Sequence, residues 1–264
     1  MKKRGILMIL TILLALAGCA GGPEAEEGDL LARIQAKGEI VVAMEGTWAP
    51  WTYHDESDRL VGYDVDVAKA IAAQLGVEAV FVEGEWDGLL AGLESGRYDL
   101  MVNGVSVTAE RAEKYDFSAP YAYNRMAVIV SAGDDSIQKM EDLDGKRTAN
   151  TISSTYAEEA EKYGAEVTGV DDLAQTFELL LSGRIDATLN DEAVYYDYMA
   201  AHPDAPLKIA CLSENPVPVA IPMRQGEDAA ALRAAVDAAL EALRADGTLA
   251  ALSEQYFGLD ITVA

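Results

Sequence analysis

From residue 38 onward, short apolar runs alternate with amphipathic ones, and that alternation predicts strands and helices packed as an α/β protein. "GEIVVAM" (38–44) reads as a strand. "DVDVAKAIAAQLG" (64–76) places Val67, Ile71 and Leu75 four apart on one helical face, with Gly76 positioned to stop the helix. "VEAVFV" (77–82) is the next strand, and "WDGLLAGLESG" (86–96) the next helix, with Leu89, Leu90 and Leu93 inward. "YDLMVN" (98–103) returns to strand. Near the end, "EDAAALRAAVDAALEALRADG" (227–247) aligns Leu232, Val236, Leu240 and Leu243 on one face and stops at Gly247; "TLAALSEQYFG" (248–258) follows as a shorter helix.

One unit of this grammar occurs twice. "GLESGRYDLMVNG" (92–104) is echoed by "LLLSGRIDATLND" (179–191), so that Ser95-Gly96-Arg97-Tyr98-Asp99 aligns with Ser182-Gly183-Arg184-Ile185-Asp186. Each copy is a helix end, a glycine turn and a buried strand finishing in polar residues. The unit is common enough to recur by chance. The alternative is two lobes of one topology, each offering strand ends to a shared cleft, where open α/β sheets bind ligands.

Charge narrows the partners. Lys and Arg total 20 against 45 Asp and Glu, a net charge of −25, which argues against nucleic acid or an anionic membrane surface. The N-terminus has the layout of a secretory signal: Lys2, Lys3 and Arg4, then an apolar run Ile6 to Leu16, shorter than the roughly 20 residues of a membrane span. It ends in "LAGC", which resembles the bacterial lipobox and implies a signal peptide over 1–18 with cleavage before Cys19 and lipidation of its sulfur. Residues 19–28, "CAGGPEAEEG", then read as a flexible, lipid-anchored tether. With Cys19 so used, Cys211 has no partner for an intrachain disulfide and is expected to be a small buried residue.

The residues that carry chemistry suit binding better than catalysis. The sequence shows no P-loop, dinucleotide fingerprint, nucleophile elbow or metalloprotease motif, and its two histidines, His54 and His202, stand apart in polar segments expected at the surface. No metal or cofactor is expected. In "NGVSVTAERAEKYDF" (103–117) an apolar strand ends in Asn103, Gly104, Ser106 and Thr108, followed by Arg111. A guanidinium there can hold a carboxylate with two parallel charge-assisted bonds, and a helix start adds N–H donors for an anion. It could equally be a surface arginine paired with a neighbouring glutamate. "EGTWAPW" (45–51) puts Trp48 and Trp51 on a loop after the first strand, either as aromatic planes for a ligand or as caps on the core, Trp51 more so. Asp191, ending the echoing strand, could take an ammonium or cap the next helix.

Taken together, "EGTWAPWTYHDESDRLVGYDVDVAKAIAAQLG", "VSVTAERAEKYDFSAPY" and "ADGTLAALSEQYFG" resemble the polar amino-acid solute-binding proteins of ABC importers, over nearly the whole mature chain. "DDLAQTFELLLSGRIDATLND", "AAHPDAPLKIA" and "EALRADGTLAALSEQYFGLDIT" are most similar to cystine-binding members. The resemblance implies that Arg111 takes a ligand α-carboxylate, helped by Gly104, Ser106 and Thr155, and that Asp191 takes the α-ammonium. Trp48 and Trp86 match ligand-stacking aromatics, and Glu45 sits where basic-ligand binders place an acid. Asn103 and Tyr156 complete the candidate ligand-binding set. The loop "NTISSTYAEE" and the stretch "CLSENPVPVAIPMRQ" depart from the pattern near the expected side-chain pocket, which leaves ligand identity open.

The implied fold is α/β, a two-lobe periplasmic-binding-protein fold of type II. Residues 29–123 and 221–264 would form lobe one, and 124–220 lobe two, with crossings near "AYNRMA" and "PVPVAI" and hinge closure on the ligand. The implied function is an extracytoplasmic, lipid-anchored, monomeric binder that hands an amino acid, cystine first, to an ABC permease. Arginine, lysine or another polar amino acid are alternatives, as are a secreted dehydratase on the same scaffold and a sensor module for a receptor.

Overall fold

The computed structural model describes residues 29–263. The signal peptide expected over 1–18, the lipidation site Cys19 and the tether over 19–28 lie outside the described residues.

The described fold opens on a helix that the hydrophobic pattern above does not single out, Leu30–Lys37. Asp29 caps it by accepting from the Ala32 N–H, Gly38 ends it in a left-handed conformation, and Leu30 and Ile34 form its buried stripe. The strand Glu39–Met44 follows and lies between Glu78–Glu83 and Leu100–Met101 in a parallel three-stranded sheet. The helix Tyr63–Leu75 connects the first pair, with Val67 and Ile71 buried and Gly76 as its left-handed stop. The helix Trp86–Glu94 makes the second connection, burying Leu89 and Leu93 while Leu90 is half-buried.

The second sheet repeats the arrangement. Arg147–Thr151 lies between the parallel strands Glu166–Val170 and Ala187–Asp191, linked by the helices Thr155–Lys162 and Leu173–Leu181; Met126–Ser131 and Leu207–Leu212 extend it antiparallel. The sequence echo therefore marks one device used twice. Gly96 and Gly183 turn in left-handed conformations (φ 73° and 71°). The aspartate three residues on then accepts an N–H from the neighbouring parallel strand: Asp99 from Val41 at 2.8 Å, Asp186 from Arg147 at 2.9 Å. The two lobes are built alike.

Two antiparallel segments, Ala122–Asn124 and Val217–Val219, pair between the sheets, with Val217 opposite Asn124 and Val219 opposite Ala122. The returning segment also bonds Val105–Val107: Val107 N–H donates to Pro218 C=O at 2.9 Å, and Ala220 N–H to Val105 C=O at 3.0 Å. The polar strand end of lobe one is thereby fixed beside the crossing. The closing helices Ala230–Ala245 and Thr248–Phe257 complete lobe one, the former burying Leu232, Val236, Leu240 and Leu243. Cys211 is half-buried rather than fully enclosed, because its strand Leu207–Leu212 is the sheet's outer member; burial still pushes its thiol up to about 11. His54 and His202 are exposed, as expected.

Candidate functional site

A cavity between the lobes, about 590 Å3 of non-atom space with its mouth included, is lined by Glu45, Thr47, Trp48, Trp86, Gly104, Ser106 and Arg111 from lobe one. Lobe two contributes Asn150, Thr151, Ser154, Thr155, Tyr156, Leu173, Thr176 and Asn190. Eight of the ten ligand-binding candidates meet on its walls. Asn103 and Asp191 stand one layer behind.

Arg111 sits in the helix Ala109–Lys114, which Thr108 caps by accepting the Arg111 N–H at 3.2 Å. Only 8% of it is exposed. Its guanidinium donates to two carbonyls, Ser106 in its own lobe and Ser153 in the other, both at 3.2 Å, and stacks 4.9 Å above the Trp86 ring. Among the described residues no carboxylate lies within ion-pair distance; Glu158 and Glu110 act on it from further away. Burial lowers its pKa, but a guanidinium keeps its charge throughout the physiological range. This is a buried cation whose compensation is incomplete.

Gly104 contributes by shape. Its N–H already donates to the buried Asp64 carboxylate at 2.6 Å, so it is not free for a ligand. What the position requires is a left-handed φ of 55° and no Cβ, since one would stand 2.5 Å from Trp48. Trp48 stacks on Trp51 at 5.6 Å, and its Nε1 donates across the cleft to Asn190 Oδ1 at 3.2 Å. Trp51 is wholly enclosed, packing on Tyr63 and Phe257, and so caps the core. Glu45 and Asn103 lock each other: Asn103 Nδ2 donates to the Glu45 carboxylate at 2.7 Å, and the Glu45 N–H donates to Asn103 Oδ1 at 2.8 Å. Burial raises the Glu45 pKa, and the charge of Asp172 from lobe two adds to that.

Asp191 occupies the N-cap position of the helix Glu192–Ala201, yet its side chain makes no capping bond. One carboxylate oxygen accepts the Tyr156 hydroxyl; the other is fully enclosed, without a well-formed hydrogen bond, though Asn124 and Trp51 also act on the carboxylate. Burial pushes Asp191 up to about 7, against the stabilising pull of Tyr156. Asp64, also fully buried, reaches about 7 for the same reason, and the charge of Asp191 raises it further. Tyr156 stays a donor, its phenol raised by burial and by Asp191.

Sequence reasoning missed several residues here. Asn150, Asn190 and Ser154 lie at strand and helix ends of lobe two, where only their position opposite Trp48 and Arg111 makes them part of a site. The echo could have found Asn190, which aligns with Asn103. Asp64 was hidden inside an amphipathic helix pattern, and Ser153 inside a polar loop.

Two similar lobes closed over a cleft that carries a buried guanidinium, hydroxyls, amides and indoles define a solute-capturing protein. The comparisons agree, and the chain belongs to the bacterial extracellular solute-binding proteins, family 3, whose model matches residues 40–259. An L-cystine-binding protein of Bacillus subtilis (strain 168) is 36% identical over 270 residues, covering 99% of this chain and 100% of that one. An ancestral arginine-binding protein bound to arginine superposes with a TM-score of 0.79 at 36% identity, covering 84% of this chain and 99% of that one. The L-cystine solute receptor of Neisseria gonorrhoeae, in its unliganded open conformation, is 40% identical over 90% of this chain and 100% of its own, with a TM-score of 0.61. The better superposition falls on the ligand-bound structure although its sequence is no nearer, which matches the hydrogen bonds spanning the cleft here.

Proposed function

We propose that this protein is the extracytoplasmic receptor of an ABC importer and captures a polar L-amino acid, L-cystine first, between lobes formed by residues 29–123 with 221–264 and by 124–220. Arg111 carries the reading. A guanidinium 8% exposed, held by two carbonyls and an aromatic face, lacks the anion that would offset its burial, and a ligand carboxylate supplies it. The helix Thr155–Lys162 begins on the cavity wall and adds N–H donors to the same anion. Asp191, enclosed behind Tyr156 and holding its hydroxyl, is the acid for the ammonium, which it meets when Tyr156 gives way to the ligand. Trp48 and Trp86 clasp the ligand body, and Glu45 faces a distal ammonium. L-cystine is placed first because relatives named for it match along the whole chain; arginine and lysine, with one distal cation for Glu45, come next. The protein acts as a monomer without enzymatic activity, tethered to the membrane by lipid on Cys19 and docking on its permease in the closed form.

A thermal-shift screen of the twenty amino acids plus cystine identifies the ligand, since 100 times the dissociation constant adds about 2.7 kcal/mol of stability. Calorimetry on Arg111→Ala then decides the site. Losing one partner of a desolvated charge pair costs roughly 2–5 kcal/mol, about a 30-fold or greater loss of affinity. Arg111→Lys rescues poorly because the fork geometry is gone. Binding by Arg111→Ala within threefold of wild type defeats the proposal. Intact mass of the mature protein checks the anchor: an N-terminus other than a lipidated Cys19 removes it.

A further inference from the structure

Ser153 is one residue past the exposed Ile152 on the lobe-two loop that precedes the helix Thr155–Lys162, and it is one of two non-glycine residues with positive φ among those described, at 57°. An L-residue is strained in that conformation, so something must hold it there. What holds it comes from the opposite lobe. The Ser153 hydroxyl donates to the Asp87 carboxylate. Its carbonyl accepts from Arg111 Nη2 at 3.2 Å and from Trp86 Nε1 at 3.4 Å. Trp86 and Asp87 open the helix Trp86–Glu94, Arg111 lies in the helix Ala109–Lys114, and the guanidinium stacks on the Trp86 ring. Three side chains of lobe one thus converge on a single residue of lobe two.

We propose that Ser153 is a closure latch, whose left-handed backbone presents hydroxyl and carbonyl together so that Asp87, Trp86 and Arg111 grip lobe two when the cleft shuts. The same guanidinium that receives the ligand carboxylate holds the latch, so ligand charge and lobe closure are coupled through one side chain. Asp87 is a positioning residue here: it does not line the cavity, and it acts on the ligand only by keeping the lobes together. The ligand part of this inference rests on the function proposed above; the closure part does not.

The test uses Asp87→Ala, Ser153→Gly and the conservative Asp87→Asn, which keeps an acceptor oxygen. Glycine takes the left-handed conformation freely, so Ser153→Gly removes the hydroxyl and leaves the carbonyl in place. Small-angle scattering of the ligand-free proteins should show Asp87→Ala and Ser153→Gly shifted towards an open form, with Asp87→Asn close to wild type. Scattering curves of wild type and Asp87→Ala that superimpose overturn the latch. With L-cystine as the probe, stopped-flow release should be about 2- to 12-fold faster in Asp87→Ala and Ser153→Gly, and no faster in the double variant than in either alone. Release rates equal to wild type in a protein that binds cystine also overturn it. A wild type that binds no cystine while the scattering shifts as described leaves the latch standing and removes only the ligand assignment.

Discussion

Gly104→Ala is expected to destabilise the protein by about 2–5 kcal/mol, and the two contributions can be separated. A left-handed φ of 55° costs an L-residue roughly 1–2 kcal/mol. The new methyl would stand 2.5 and 2.8 Å from two ring carbons of Trp48 and 3.3 Å from Trp51. Overpacking of this kind typically costs about 1–3 kcal/mol. Trp48 is poorly placed to yield, because it is stacked on Trp51 and its Nε1 is tied to Asn190 across the cleft. Whatever movement it does make is into the cavity, so ligand binding should fall as well. Urea unfolding followed by circular dichroism reads the first effect as a lower midpoint at unchanged slope; calorimetry reads the second. A variant within about 0.5 kcal/mol of wild type, binding normally, would show that the indoles are loosely held and that the glycine is there by accident.

Three further perturbations probe other parts of the structure. Asp64 and Asp191, both near 7 when folded against about 4 unfolded, bind more protons in the native state, so their contribution to stability is full below about pH 4 and is lost as pH rises through 7; Asp191→Asn should flatten the stability profile between pH 5 and 8, and an unchanged slope would exclude Asp191 as its source. Trp48→Phe keeps the ring face but removes the bond to Asn190, and calorimetry should show binding about 2- to 12-fold weaker, whereas unchanged affinity would mean that bond contributes nothing to closure. Arg244 donates to Thr262 C=O at 2.6 Å and Pro120 C=O at 2.7 Å, pinning the C-terminal segment beside the crossing; Arg244→Ala should cost about 1.5–3 kcal/mol, seen as a melting temperature several degrees lower, and a shift under one degree would contradict it.

The long helices were legible because one period governs them: Val67 with Ile71, and Leu232 with Leu240, are buried as their spacing demands. The helix Leu30–Lys37 was missed although Asp29, Ile34 and Gly38 spell its cap, stripe and stop, because it abuts a Gly- and Glu-rich tether that draws the eye to disorder. In the site, residues at strand ends could be picked out one by one. Their partners could not, since Trp48 with Asn190 and Arg111 with Ser153 are separated by long stretches of chain and meet only across the cleft. The roles of Gly104 and Asp64 are likewise tertiary: one exists because indole rings approach it, the other because that glycine's N–H needs an acceptor.

The two lobes also differ in when they can be completed during synthesis. Every strand of the second sheet lies between Met126 and Leu212, in one unbroken stretch, so it can form as soon as that stretch has emerged. The strands of the first sheet, from Glu39 to Met101, are as continuous, yet the helix Ala230–Ala245, which packs against the helices Leu30–Lys37 and Tyr63–Leu75, comes from much later in the chain. Until it arrives, the apolar faces centred on Ile71 and Ile34 stay uncovered, and closing so long a loop is slow. The lobe whose sequence is earliest is therefore the last to become solid, and it is the one that needs protection from aggregation while it waits.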